Sequence, residues 1–164
     1  MKKKLKEMYP EVADQYEKDL ENHIIYTHDE ASTPVKKNYC EAISLYPLML
    51  EGCGNIDGVT PGPPHHYASF CGQLVNLTHA LAGQCKGAVA IGELFNFLDY
   101  YCAKDFGSEY HKNFNELASI HPRLTILDCI HQGYQQLVCG WNQPAGNRGG
   151  QSPFVNISYY DSNY

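Results

Sequence analysis

Asn142-Gln-Pro-Ala-Gly-Asn-Arg-Gly-Gly-Gln-Ser-Pro-Phe-Val-Asn-Ile-Ser158 is a polar, glycine-rich loop that runs straight into an apolar strand. Its glycines let the backbone lie against a ligand, while Asn147, Arg148 and Gln151 offer a guanidinium and two amides, donors suited to phosphate, ribose or base edges. The G-x-x-x-x-G-K-[ST] of a P-loop is missing, and the loop does not lead from a strand into a helix as a dinucleotide-binding turn does. The strand Phe154 to Tyr159 has no obvious neighbour close in sequence. Its backbone groups need partners, so the expectation is a sheet completed from outside this chain.

Three helical repeats lie behind the loop. Over about residues 66 to 86, Phe70, Leu74, Leu77 and Leu81 form one face, and Cys71, Val75, Thr78, Ala82 and Cys85 a neighbouring stripe of small residues. A helix apolar on two faces is expected between partners. From about 90 to 105, Leu94, Phe97, Leu98, Tyr101 and Cys102 recur at helical spacing, and Gly107 stops the run. The third predicted helix runs from near Arg123 to Val138, with Leu124, Leu127, Tyr134, Leu137 and Val138 inward, Pro122 at its start and Gly140 at its end. Between Gly52 and Pro64, glycine and proline exclude regular structure and predict a stiff loop. Nearer the start, Val12, Tyr16 and Leu20 predict a helix from Pro10 through Glu21. An alternating strand from His23 to Thr27 and a polar turn through Asp29 to Ser32 are expected next.

A chain of 164 residues, 43% apolar, can bury a core as one domain over 1–164. A net charge of −6 and a pI near 5.7 argue against nucleic acid or an anionic membrane as partner. The basic start through Lys6 is followed by Glu7, Pro10 and Glu11 where a signal peptide would need an apolar run, so it reads as a solvated end. No stretch approaches the roughly 20 apolar residues of a membrane span, and a soluble, cytoplasmic protein is expected. Seven cysteines leave one unpaired in any disulfide scheme, and four of them (71, 85, 102 and 129) fall in predicted helices, the pattern of cytosolic thiols.

Cys40 stands apart, outside the helices between Tyr39 and Glu41, at what reads as a strand end where reactive groups are displayed. An inert thiol is the alternative from the residues alone. His65 and His66, with His28 and Asp29, could ligate a metal, but no ligand spacing supports it, and no metal site is expected. His65-His66 after Pro63-Pro64 more simply opens a helix, whose N–H groups could receive a phosphate. Lys104, Asp105, Glu109, His111 and Lys112 read as a charged loop, solvated by default, that could hold a triphosphate.

Six segments in order carry a resemblance. They are Ile25 to Asp29, Asn38 to Pro47, Pro63 to His66, Ser69 to Leu77, Cys85 to Ala90, and Asn142 to Asp161. Together the chain resembles the N-terminal part of the catalytic subunit of the anaerobic, glycyl-radical ribonucleoside-triphosphate reductases. The resemblance implies an α/β fold, a helix-rich fragment of that family's ten-stranded α/β barrel. Cys40 would then be a catalytic thiol giving a hydrogen atom and an electron as the ribose 2′-hydroxyl leaves, with His28 near the same face. Asn142, Arg148, Gln151 and Asn156 would meet the ribonucleoside triphosphate. Gln73, Asn76, Lys104 and Lys112 would bind a dNTP or ATP effector at a homodimer contact made by helices, and the glycine-rich loop would link the two sites.

No cofactor is expected in this chain. By the same resemblance, the glycyl radical, its radical-SAM activase, a four-cysteine zinc site and the loop bearing a thiyl radical belong to polypeptide not found here, so the chain is expected to need a companion chain. A non-catalytic dNTP-binding and dimerisation module is the alternative function, and a thiol or metal protein unrelated to nucleotides is a third.

Overall fold

The computed structural model describes residues 2–26, 38–53, 61–144 and 151–159. The fold divides into two compact units, Met1–Lys37 and Asn38–Tyr164.

In the first unit, helix α1 (Lys2–Met8) is followed by α2 (Pro10–Glu21), with Pro10 in its first turn where no N–H is needed. The basic start is thus helical rather than merely solvated, and Lys6 lies 3.3 Å from Glu17 and 3.7 Å from Asp14. The strand expected from His23 does not form over its described part. Asn22 caps α2, His23 turns at φ 56°, and Ile24 to Tyr26 follow as exposed coil. Two adjacent isoleucines raise strand propensity, but with no partner strand beside them among the described residues that propensity decides nothing. Thr27 and the turn expected at Asp29 to Ser32 lie outside the described residues.

In the second unit, strands β1 (Glu41–Ile43), β2 (Val89–Ile91) and β3 (Val155–Ile157) form a parallel sheet in the order β1-β2-β3. Parallel neighbours need long crossovers. The first contains α3 (Tyr46–Glu51) and α4 (Tyr67–Gln84); the second contains α5 (Leu94–Phe106), a 3₁₀ turn (Tyr110–Lys112) and α6 (Ile126–Trp141). The isolated strand expected near the C-terminus therefore finds its neighbour within the chain, across a crossover of more than sixty residues. The helix expected from about residue 90 starts later, because 89–91 belong to the central strand.

The register stacks Glu41 on Val89 and Val155, Ala42 on Ala90 and Asn156, and Ile43 on Ile91 and Ile157. Val89 and Ile91 are fully buried in the helix-covered core, whereas Ala42 and Asn156 are exposed on the opposite face. The sheet is therefore covered on one face and open on the other among the described residues.

Helix α4 packs against α6, α5 and β2, as its two apolar faces require, and buries Tyr67, Phe70, Cys71, Leu74, Thr78 and Ala82. Helix α5 buries Leu94, Phe97, Leu98, Tyr101 and Cys102, the expected set, and Gly107 ends it at φ 93°. On α6 the expected inward face is rotated. Ile126, Ile130, Gly133 and Leu137 are buried, whereas Tyr134 is 37% and Val138 63% exposed. The helix is capped by Thr125, whose hydroxyl accepts from Asp128 N at 3.1 Å. That cap shifts the start past Arg123 and fixes which stripe meets α4.

Candidate functional site: a thiol on the open sheet face

Cys40 immediately precedes β1 and is exposed. With alternation along the strand, residues 40 and 42 point to the same side, the open face that also carries Ala90 and Asn156. β1 is held to the segment before β2 by Lys86 N to Asn38 O at 2.9 Å, by Gly87 N to Tyr39 O, and by Glu41 N to Ala88 O at 3.0 Å. Ala88 N donates to the Cys40 sulfur at 3.3 Å. Gly87 makes the close approach possible: a β-carbon there would lie 2.6 Å from the sulfur and 2.7 Å from Tyr39 O. Asn38 Nδ2 also donates to Glu41 Oε1 at 2.7 Å.

Of the expected substrate residues, Asn156 shares the thiol's face, two strand spacings from β1, which is about 10 Å. Asn142 caps the end of α6 and is exposed, as is Gln151, and no described contact joins either to Cys40. His28 and Arg148 lie outside the described residues. So do the glycines of the loop.

The expected effector residues occupy two places. Gln73 lies on α4 with Asn76 one turn on, and its Nε2 donates to Gly62 O at 2.9 Å. Gln73 lines an open cavity of about 430 Å³ with Pro63, Pro64, His65, His66 and Ser69. Lys104 and Asp105 lie in the last turn of α5 rather than in a loop, with the Lys104 ammonium 5.7 Å from the Tyr101 ring centre. Lys112 pairs with Glu109.

Asp105 departs from its expected solvated role. Its carboxylate is buried at the head of α4, accepting from Tyr67 N at 2.8 Å and lying 2.9 Å from His66 Nδ1. It is the anion at the helix N-terminus that the sequence reading offered to a phosphate. Tyr101 donates its hydroxyl proton to Pro64 O at 2.9 Å, so α5 fixes the loop that opens the cavity. Asp105, Gly87 and Tyr101 are the positioning residues that sequence reasoning missed. An aspartate in the last turn of a helix opposes the helix dipole, and that misplacement was the available signal.

Among the described residues no group of three or more His, Cys, Asp or Glu side chains gathers as a metal site, and no helix is long and apolar enough to cross a membrane. All seven cysteines are free thiols.

Fold and site define a parallel α/β scaffold that presents a thiol on a sheet face left open among the described residues. The family model for anaerobic ribonucleoside-triphosphate reductase matches residues 1–164, and the chain belongs to that family. It is similar to the solved anaerobic ribonucleotide reductase of Thermotoga maritima in complex with dATP and CTP, at 29% identity and a TM-score of 0.73, covering 99% of this chain and 25% of that one. The structure of the same enzyme with dATP in the specificity site matches at 29% identity and TM-score 0.73, covering 99% and 26%. That with citrate in the active site matches at 29% identity and TM-score 0.71, covering 99% and 27%. The chain thus spans about a quarter of the length of these solved chains. No curated protein sequence matches it.

Proposed function

We propose that the chain is the part of an anaerobic ribonucleoside-triphosphate reductase that carries the substrate-side thiol and the effector helices, acting in the conversion of ribonucleoside to deoxyribonucleoside triphosphates. The observation that carries this reading is the exposed Cys40 sulfur, held by Ala88 N–H on the sheet face that also bears Asn156. On this face a ribose can lie against a backbone too tight for any side chain at Gly87. Cys40 gives one hydrogen atom as the 2′-hydroxyl leaves as water, becoming a thiyl; the second electron and proton of this two-electron reduction come from an external reductant, formate or a thiol protein, and Asn156 orients the sugar or its phosphates. Asn142, Arg148 and Gln151 complete the substrate contacts, with His28 near the thiol. The glycyl radical, the zinc site and the radical-SAM activase that starts the chemistry are supplied by companion polypeptide.

The test is Cys40→Ala in protein reconstituted with that companion chain and activase. Deoxynucleotide formation is expected to fall to background while dNTP binding persists; activity retained removes Cys40 from the mechanism.

A second reading, a dNTP-binding and dimerisation module without chemistry, draws on the cavity at the head of α4, which Gln73 lines and which does not involve Cys40. Here Gln73, Asn76, Lys104 and Lys112 hold a dNTP or ATP effector across a helical homodimer contact. Calorimetric titration with dNTPs, alongside measurement of the oligomeric state, separates the readings. Binding that survives Cys40→Ala and weakens in Gln73→Ala supports an effector site here, and absence of binding in a dimeric sample counts against it.

A further inference from the structure

A second cavity, of about 440 Å³, opens between α5, the 3₁₀ turn and α6. Neither the thiol site nor the effector reading uses it. Its walls carry four aromatic rings, Phe95, Tyr110, Phe114 and Tyr134, over an aliphatic floor that includes Ile130. Tyr110 and Phe114 pack edge to face at a centroid distance of 6.0 Å, so the rings are held rather than loose. One carboxylate lines the cavity, that of Asp99, and among the described lining residues there is no lysine or arginine. Tyr110 donates its hydroxyl proton to Asp99 Oδ1 at 2.6 Å, which fixes the carboxylate at the mouth. Asp99 Oδ2 has no hydrogen-bond partner among the described residues and remains available to a donor. His131, on the α6 wall, is exposed and lies close enough to Asp128 to help lower that carboxylate's pKa.

Aromatic faces carry negative charge, and several rings beside one fixed carboxylate form the arrangement that receives an organic cation. A neutral apolar guest would gain from the rings but leave the carboxylate partly desolvated and unpaired. An anion would face Asp99 with no lysine or arginine among the described lining residues to offset it. We propose that this cavity binds an organic ammonium or guanidinium cation, its apolar surface against Phe95, Phe114 and Tyr134 and its charge toward Asp99. Two sources supply that chemistry, a free amine or a lysine or arginine side chain of a polypeptide docked on α5 and α6.

The test uses the full chain, titrated by NMR or calorimetry with choline, with blocked arginine and lysine amides, and with 3,3-dimethylbutanol, the uncharged isostere of choline. A cation is expected to bind about ten-fold more tightly than the isostere, a difference that one cation–π contact can supply. Asp99→Asn is expected to reduce this preference several-fold while leaving the folded spectrum intact. Tyr134→Leu is expected to weaken all cations together. Tighter choline binding assigns a free amine, and tighter arginine or lysine amide assigns a polypeptide side chain. Equal binding of choline and its isostere, no binding of any cation to the folded chain, or a preference unchanged in Asp99→Asn overturns the proposal. None of these readouts depends on Cys40 or on reductase activity.

Discussion

At residue 87 the choice of amino acid is set by its neighbour across the strands. A β-carbon there would sit 2.6 Å from the Cys40 sulfur and 2.7 Å from Tyr39 O, and the second of these is backbone that cannot swing aside. Gly87→Ala is therefore expected to part β1 from the Ala88 segment, at about 1–3 kcal/mol as for other overpacked positions. The methyl also crowds the thiol. Alkylation at Cys40 is expected to slow relative to Cys139, the other exposed cysteine, which mass spectrometry of a timed iodoacetamide reaction reads directly. Unchanged relative labelling would mean that Gly87 does not shape the thiol's surroundings. The exposed place of Cys40 beside a strand was legible in the sequence because it fell outside every helical repeat. Gly87 was not, because its constraint comes from a residue forty-seven positions earlier, and no local pattern records a contact of that range.

At the scale of elements, α4 and α6 run parallel and close, and two glycines on α6 set the distance. Tyr67 lies against Gly133 and Val75 against Gly140, while Gly72, on α4, faces the side chain of Gln136. A methyl at Gly133 would come within 2.1 Å of Tyr67 Cε1, on a ring that is 2% exposed and whose hydroxyl donates to Ile130 O at 3.1 Å. Gly133→Ala gains about 1 kcal/mol of helix propensity. Against this stand the overpacking, about 1–3 kcal/mol, and the strained Tyr67 hydrogen bond, about 1 kcal/mol, so net destabilisation is expected. Thermal unfolding should fall by about 2–4 °C for each kcal/mol lost. Gly72→Ala is the control, because its methyl meets only the flexible end of Gln136 at 3.1 Å, and it is expected to leave the midpoint unchanged or slightly raised. A midpoint in Gly133→Ala at or above that of Gly72→Ala would show that the helices are not held at glycine distance. The long helices were legible because thirteen or more residues repeat an apolar period several times. Strand β1 was legible only as a strand end at Cys40, and β2 not at all: three residues hold barely one period of alternation, and Val89-Ala90-Ile91 reads equally as the start of the helix that follows. The phase of α6 failed for a related reason, since Gly133 is an inward residue that no hydropathy pattern marks as core.

Over the whole molecule, the buried core gathers groups that must stay protonated. Burial pushes the Cys71 thiol up to about 12 from an ordinary 9.0, against a smaller opposing hydrogen bond from Tyr67. Cys102 rises to about 12, first through burial and then through Cys71, Asp99 and Asp105. Tyr101 is pushed from 10.0 to about 12 by burial, helped by Tyr100 and Asp105, and Tyr67 is raised further, again chiefly by burial. Each of these groups has a folded value above its unfolded one. Below about pH 9 both states hold the protons and stability does not depend on them. Above it the unfolded chain releases protons that the folded chain keeps, so stability falls as pH rises, until the folded groups ionise near 12. The slope is at most about 1.4 kcal/mol per pH unit for each group that ionises only when unfolded. Urea unfolding across the alkaline range is expected to show a plateau and then a fall that begins with the thiols and steepens as the phenols join. Cys102→Val, which keeps the volume and removes one ionisable group, is expected to make that fall shallower at an otherwise similar neutral stability. An alkaline limb with the same slope in Cys102→Val would show that this thiol is not held protonated in the core, and would move the cause of alkaline unfolding to the surface.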